Sequence, residues 1–168
     1  MPIISSDIKI YLSGGASNTD PNQSLGGEIS NTELVDNALH NLFDRVSASE
    51  SQSGDIEYRA VFIKNTHPIL TLYNAKVYIE SNTPSPDTHC QISVDNEDGS
   101  PIQTIPNEDT APSGQTFYDA DGEANALLIG DLGPGQVKGL WINREVNAGA
   151  QAYSNDQVVI KVVGETEA

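Results

Sequence analysis

The chain has 168 residues, and 24 acidic side chains against eight Lys and Arg residues give a formal net charge of −16. So acidic a surface repels phosphate groups, which disfavours direct binding to nucleic acid and to anionic membranes. A hydrophobic content of 37% with 19% charged residues is typical of a globular domain with a buried core. No apolar run approaches the ~18 residues of a membrane span, and residues 1–7 lack the features of a Sec signal.

The N-terminal part is predicted to contain one strand followed by a long loop. Residues 7–13 (DIKIYLS) alternate apolar and polar side chains, as an opening strand does. Residues 14–27 are rich in Gly, Ser and Asn and have little to bury, which predicts an exposed arm or a long structured loop. An arm would reach over a neighbouring subunit, whereas the alternative is a mobile connector.

Between Ser30 and Phe43 the apolar spacing becomes helical. Two rows of side chains recur every four residues and would share one helical face: Leu34, Ala38 and Leu42, and Val35, Leu39 and Phe43. Ser30 and Glu33 fit a capping box at the start of such a helix. We therefore predict one short helix here, with an irregular edge strand as the alternative, and a polar loop over residues 47–54.

From Asp55 onward the pattern is entirely β. Strands are predicted at residues 56–64, 70–80, 90–94, 126–129, 137–146 and 157–163. Residues 100–123 carry three prolines, which predicts a polar excursion outside the sheet interior. The predicted fold is mainly β, an immunoglobulin-like β-sandwich of about seven strands with an N-terminal arm and one short helix. It forms one compact domain, with residues 1–54 packing on a sandwich of residues 55–168.

The predicted strand 56–64 has two faces with different roles. Val61 and Ile63 should point into the core, and Tyr58 and Phe62 should point outward. An outward aromatic stripe is unfavourable in water and favourable in an interface, although this face could instead pack under the N-terminal helix. The interface candidates are therefore Tyr58 and Phe62, with the following residues of the arm: Ser13, Gly14, Gly15, Asn18, Asp20 and Leu25.

No motif in the chain points to catalysis or to a cofactor, and we expect neither. The sequence has no Gly-x-Ser-x-Gly, no Gly-rich phosphate loop followed by Lys, and no conspicuous pair of catalytic carboxylates. His40, His67 and His89 lack metal-binding spacing. Cys90 is the single cysteine and has no evident base beside it, so a small buried thiol is predicted.

Metal binding has only weak candidates in the sequence. Asp119, Asp121 and Glu123 resemble half of a calcium loop, because alternate carboxylates around a glycine can wrap a hard cation. The segment lacks a third ligand before the glycine and the distant Glu of an EF-hand. Acidic turns at strand ends are common without a metal, so no resident metal is expected.

Several segments together resemble a family of small virion structural proteins of tailed bacteriophages. They are Asp7 to Ala16, Asn41 to Val46, Glu57 to Asn65 and Gly139 to Arg144. The strand Tyr58 to Lys64 with its Asn65-Thr66 turn, and the corner Gly130 to Gln136, resemble immunoglobulin-like repeats of bacterial surface and virion proteins. The likeness covers most of the chain outside residues 100–123.

This resemblance implies a noncatalytic protein that decorates or cements the exterior of the capsid after synthesis in the host cytoplasm. Its partners would be the major capsid protein lattice and further copies of itself, with a trimer as one option; the alternative is a place on the tail or neck. A carbohydrate- or host-surface-binding module on the same fold is a further alternative. Such a module needs an exposed aromatic platform, whereas Trp141 is better placed as a core filler between the sheets.

Overall fold

A computed structural model describes residues 1–167 and shows a mainly β sandwich with one short α-helix, as predicted. Within these residues the strands are β1 (Ile8–Ser13), β2 (Gly26–Gly27), β3 (Ile29–Glu33), β4 (Asp55–Asn65), β5 (Leu72–Ser81), β6 (Thr88–Asp98), β7 (Ile102–Thr104), β8 (Leu127–Leu132), β9 (Val137–Val146) and β10 (Val159–Thr166). Helix α1 is Ala48–Ser53, and short 3₁₀ helices lie at Ser5–Asp7, Pro21–Gln23 and Glu123–Asn125. Among residues 1–167, none of these helices has the length and apolar character that a bilayer crossing requires.

The strands form three antiparallel sheets. A five-stranded sheet has the order β3-β1-β4-β9-β6, a three-stranded sheet has the order β10-β5-β8, and β2 pairs with β7. The seven predicted strands correspond to β1, β4, β5, β6, β8, β9 and β10, and the short strands β2, β3 and β7 are additional. Because β1 lies between β3 and β4, the N-terminal segment is an integral part of the sandwich rather than a layer packed on it.

The larger core lies between the five-stranded and three-stranded sheets. Val61 and Ile63 of β4 point into it, as the alternation along this strand predicts. They meet Leu140 on β9 and Val77 on β5, and all four side chains are almost completely buried. We call the side of the five-stranded sheet that faces this core its inner face.

A second core covers the outer face of the same sheet and corrects two predictions. Phe62 is fully buried there beside Trp141, beneath Ile102 and Ile105 from the β7 segment. The outward aromatic stripe is therefore not a free surface, and its cover comes from the Pro-rich segment rather than from a helix. Trp141 is buried as predicted but on the outer face, where its Nε1 donates to Asp95 Oδ2 at 2.7 Å.

The predicted helix over residues 30–43 is wrong. Residues 29–33 instead form β3 at the edge of the five-stranded sheet, and residues 34–47 form what we call the 34–47 loop. Asn37 and His40 adopt positive φ values of 58° and 56°, which a continuous helix does not allow. The real capping box begins α1, where Ser47 Oγ accepts from the Glu50 amide at 3.2 Å and Ser47 N donates to Glu50 Oε2.

Residues 14–27 form a structured loop, which was one of the two predictions for this segment. Asn18 Nδ2 donates to the Ser13 carbonyl at 2.7 Å and to the Asp20 carbonyl at 3.1 Å. Ser24 is buried, and its Oγ donates to the Ala60 carbonyl at 2.6 Å. The end of the loop therefore joins the cover of the outer face and is not an independent arm.

Candidate functional site: a buried carboxylate and guanidinium cluster

The inner face of the five-stranded sheet ends in a row of charged side chains. Glu57 and Arg59 continue the row of Val61 along β4, because alternate residues of a strand share a face. Arg144 on β9 lies directly opposite Glu57, and Ile142 lies opposite Arg59. The register of β4 and β9 therefore places an acidic and a basic side chain next to each other at the edge of an aliphatic core.

Glu57 has an exposed fraction of 0%. Its Oε2 accepts a hydrogen bond from Arg144 Nε at 2.8 Å and a second, shorter one from Arg144 Nη2. Burial raises the pKa of Glu57 to about 7, although the charge and hydrogen bonds of Arg144 lower it; Glu108 and Glu50 raise it further. The fold consequently favours the protonated form of this carboxyl group more than water does.

Arg59 is fully buried and connects three separate parts of the chain. Its Nη2 lies 2.7 Å from Glu108 Oε2 and donates to Asn22 Oδ1 at 3.1 Å. Its Nε donates to the Leu42 carbonyl at 3.3 Å. This guanidinium therefore holds the 34–47 loop, the Pro21–Gln23 turn and the segment after β7 against one strand.

Phe43 lies against both guanidinium groups. Its ring centroid is 5.3 Å from Cζ of Arg59 and 5.0 Å from Cζ of Arg144, within the usual range of a cation–π contact. Arg144 Nη1 also donates to the Asp44 carbonyl at 2.7 Å. The C-terminal half of the 34–47 loop is thus anchored on the charged row.

The other half of the loop projects apolar side chains into solvent. Leu34 N donates to the Ile10 carbonyl at 2.8 Å, and Asn41 Nδ2 closes the loop on the Val35 carbonyl at 2.8 Å. Between these two fixed points, Val35 and Leu39 have exposed fractions of 63% and 86%. We call these two side chains the loop tip.

Two groups of three carboxyl groups meet at Glu57. One oxygen from each of Asp44, Glu57 and Glu108 lies within 4.8 Å of the others, and the same holds for Glu50, Asp55 and Glu57. Among residues 1–167, two buried oxygens, Asp44 Oδ1 and Glu57 Oε1, have no hydrogen-bond partner. Carboxylate oxygens in such a group are the ligands that hard cations such as Ca²⁺ prefer.

The residues predicted as interface candidates are scattered between surface and core. Ser13 and Phe62 are fully buried, so neither is available to a partner of the folded chain, and both predictions are corrected. Tyr58 is half-buried and packs against Phe117 with ring centroids 5.4 Å apart. Leu25 packs on the outer core. Of the remaining candidates, Gly14 and Asp20 are exposed, and Gly15 and Asn18 are half-buried.

Of the weak calcium candidates, Asp119 is engaged by other side chains. Asp119 Oδ1 lies 2.8 Å from His89 Nε2 and accepts from Gln91 Nε2 at 3.0 Å. These hydrogen bonds, from His89 first, lower the pKa of Asp119. Asp121 and Glu123 are exposed, and within residues 1–167 the three do not belong to either group of clustered carboxylates.

Cys90 is buried, as predicted, and lies opposite Arg144 in the register of β6 and β9. Burial raises the pKa of its thiol to about 12. Since the thiolate is the nucleophilic form, Cys90 has the properties of a structural residue.

Sequence reasoning missed the cluster, although a signal was present. Glu57 and Arg59 occupy the positions of β4 that should face the core, four and two residues before Val61 respectively. Charged side chains in the inward register of an apolar strand must be paired when they are buried. Their partners come from positions as distant as Glu108 and Arg144, which no local pattern connects to them.

Comparison of the chain with protein-family models, with curated proteins and with solved structures found no match.

Proposed function

We propose that this protein is a noncatalytic structural component of a virion that decorates and cements the capsid shell of a tailed bacteriophage. The observation that supports this most is the loop tip. Val35 and Leu39 are exposed on a loop held at both ends, by the backbone of β1 and by Phe43 on two arginines. Apolar side chains on a fixed surface bind a protein partner without the entropy cost of ordering the loop.

The resemblance of the sequence to small virion proteins supplies the class of partner. The formal charge of −16 fits this role, because an acidic protein does not compete with the shell for packaged DNA. It also steers the protein toward cationic patches on a partner, an effect that weakens as salt rises. Multiple copies on a lattice would compensate for a small contact at each site.

Co-sedimentation with empty capsids and with isolated tails of the encoding virus tests the proposal. We expect the protein to pellet with capsids, and we expect Val35→Ser with Leu39→Ser to weaken binding tenfold or more. A matched control is Ile69→Ser in the β4–β5 turn, which removes a side chain with an exposed fraction of 77% from another part of the surface. The control variant should pellet like the wild type.

Three outcomes of this experiment would contradict the proposal in different ways. Binding to tails alone would show that the protein is a component of the tail or neck. If the loop-tip variant bound capsids as well as the wild type, the loop tip would not be part of the interface. No binding to either particle would overturn the virion role. Light scattering after size-exclusion chromatography measures whether the free protein is a trimer.

A further inference from the structure

Within the part of the chain that the structure describes, two buried oxygen atoms of the cluster have no hydrogen-bond partner. Glu57 Oε1 belongs to a fully buried side chain, and Asp44 Oδ1 is buried although the rest of Asp44 is partly exposed. Buried polar atoms are almost always hydrogen-bonded, because an unpaired one keeps its full desolvation cost. Each of these two atoms can therefore accept a further partner.

The spacing of the carboxylates suits a metal ion. Ca²⁺ binds oxygens at about 2.3–2.6 Å, so ligands on opposite sides of the ion lie up to about 5 Å apart. One oxygen from each of Asp44, Glu57 and Glu108 lies within 4.8 Å of the other two. A single ion between them can therefore contact all three.

Each arginine contacts one oxygen of a neighbouring carboxylate and orients that group. Arg144 binds Oε2 of Glu57, and Arg59 binds Oε2 of Glu108. Arg144 Nη2 lies 3.7 Å from Asp44 Oδ1, which is too far for a hydrogen bond. With Glu50 and Asp55 included, five carboxylates face two guanidinium groups, so the fully ionised cluster retains a formal charge of −3.

We propose that Glu57, Asp44 and Glu108 bind a hard divalent cation of the Ca²⁺ class. The donors are all carboxylate oxygens, without the Cys or His that Zn²⁺ prefers. Calcium tolerates the irregular geometry of this set better than Mg²⁺, which requires a near-octahedral shell. Because Asp44 lies in the 34–47 loop and Glu57 in β4, the ion would fasten the loop to the sheet. This site is independent of the proposed capsid role.

Calorimetric titration of the EDTA-treated full chain with CaCl₂ tests the site directly. We expect one saturable calcium site per chain, together with a rise in the thermal unfolding midpoint as calcium is added. Glu57→Gln and Asp44→Asn should each weaken calcium binding tenfold or more. Asp44 is partly exposed, so Asp44→Asn keeps the test valid if Glu57→Gln fails to fold by circular dichroism.

The control variant is Asp119→Asn with Asp121→Asn, which removes two carboxylates of the acidic turn and should leave calcium binding unchanged. The proposal is overturned if the wild type shows no saturable site, or if this control loses calcium while Asp44→Asn keeps it. It is also overturned if the midpoint rises as pH falls through 7 but does not respond to calcium. That result would mean that the two oxygens share a proton rather than a cation. Capsid binding without calcium binding, or the reverse, separates this proposal from the virion role.

Discussion

The two faces of the five-stranded sheet are both buried, but by different means. The inner face is covered by a regular partner sheet, whose aliphatic side chains meet those of β4 and β9. The outer face is covered by the short β2–β7 ribbon and by irregular backbone rich in Gly and Pro. The side chains of strand β4 point alternately into the two cores. Phe62, which alternation places on the outer face, is therefore as buried as Ile63 on the inner face.

The inner face itself changes character along β4. Beside Val61 and Ile63 it is aliphatic, whereas at Glu57 and Arg59 it is charged and is covered by the 34–47 loop. A core that ends in paired charges tolerates water at its edge and can accept an ion, which an aliphatic edge cannot. The comparison indicates that stability comes mainly from the two apolar cores, and that the charged end positions the loop.

The largest expected effect tests whether the outer core matters as much as the inner one. Trp141→Ala should lower the free energy of unfolding by ~3–5 kcal/mol, because it leaves a large cavity and removes the hydrogen bond from Trp141 Nε1 to Asp95 Oδ2. Urea unfolding measures this loss, with Leu140→Ala as the matched variant of the inner core at about 3 kcal/mol. A loss below about 1 kcal/mol for Trp141→Ala would show that the outer core contributes little to the stability of the fold.

The next effect concerns the charged end of the inner face. Arg144→Met should lower the free energy of unfolding by about 3 kcal/mol, because it leaves the buried carboxylate of Glu57 without its ion-pair partner. Adding Glu57→Leu should recover much of that loss, since an apolar pair replaces the ion pair. Denaturant unfolding in EDTA gives both values independently of any cation. Additive losses in the double variant would mean that the two side chains are not coupled.

A smaller effect tests how tightly the ribbon lies on the outer face. A Cβ at Gly26 would lie 1.9 Å from the Gln103 carbonyl oxygen, and φ of Gly26 is +97°. Gly26→Ala should therefore cost about 2 kcal/mol or more. Gly15 has a similar φ of +104° with open space around it, so Gly15→Ala should cost about 1 kcal/mol. Thermal unfolding of the two variants compares them, and equal midpoints would contradict the close approach.

The smallest expected effect is at the loop tip. Leu39→Ser should change the free energy of unfolding by less than about 0.5 kcal/mol, because 86% of Leu39 is exposed to solvent. Chemical unfolding provides the measurement. A loss above about 1 kcal/mol would show that Leu39 contributes to folding, and the loop-tip binding experiment would then need a different variant.

The 34–47 loop shows why part of the fold was not predictable. The rows of Leu34, Ala38 and Leu42 have helical spacing, but β1 pairs with residues 29–33 and removes the predicted helix start. Leu42 and Phe43 are then required to cover the charged row. By contrast, Ser47 and Glu50 show a readable capping box, although the Ser-rich segment around them lacks the apolar face that usually identifies a helix.

The candidate cluster was harder to predict than the strands. The sequence alone places Glu57 and Arg59 in the inward register of β4, and that much follows from alternation. Phe43, Glu108 and Arg144 join them only through the register of β4 with β9 and the paths of two loops. Neither the register nor the loop paths have a local signature.

The amino-acid order by itself determined the strand-forming segments, the inward direction of Val61 and Ile63, and the burial of Trp141 and Cys90. These follow from short-range alternation and from the low solubility of large apolar side chains. Tertiary structure alone decided that Trp141 lies on the outer face, that Phe62 is covered, and that five carboxylates meet two arginines. Those outcomes depend on which distant segments stack as layers, because layer order is set by the total burial of the chain and not by any one segment.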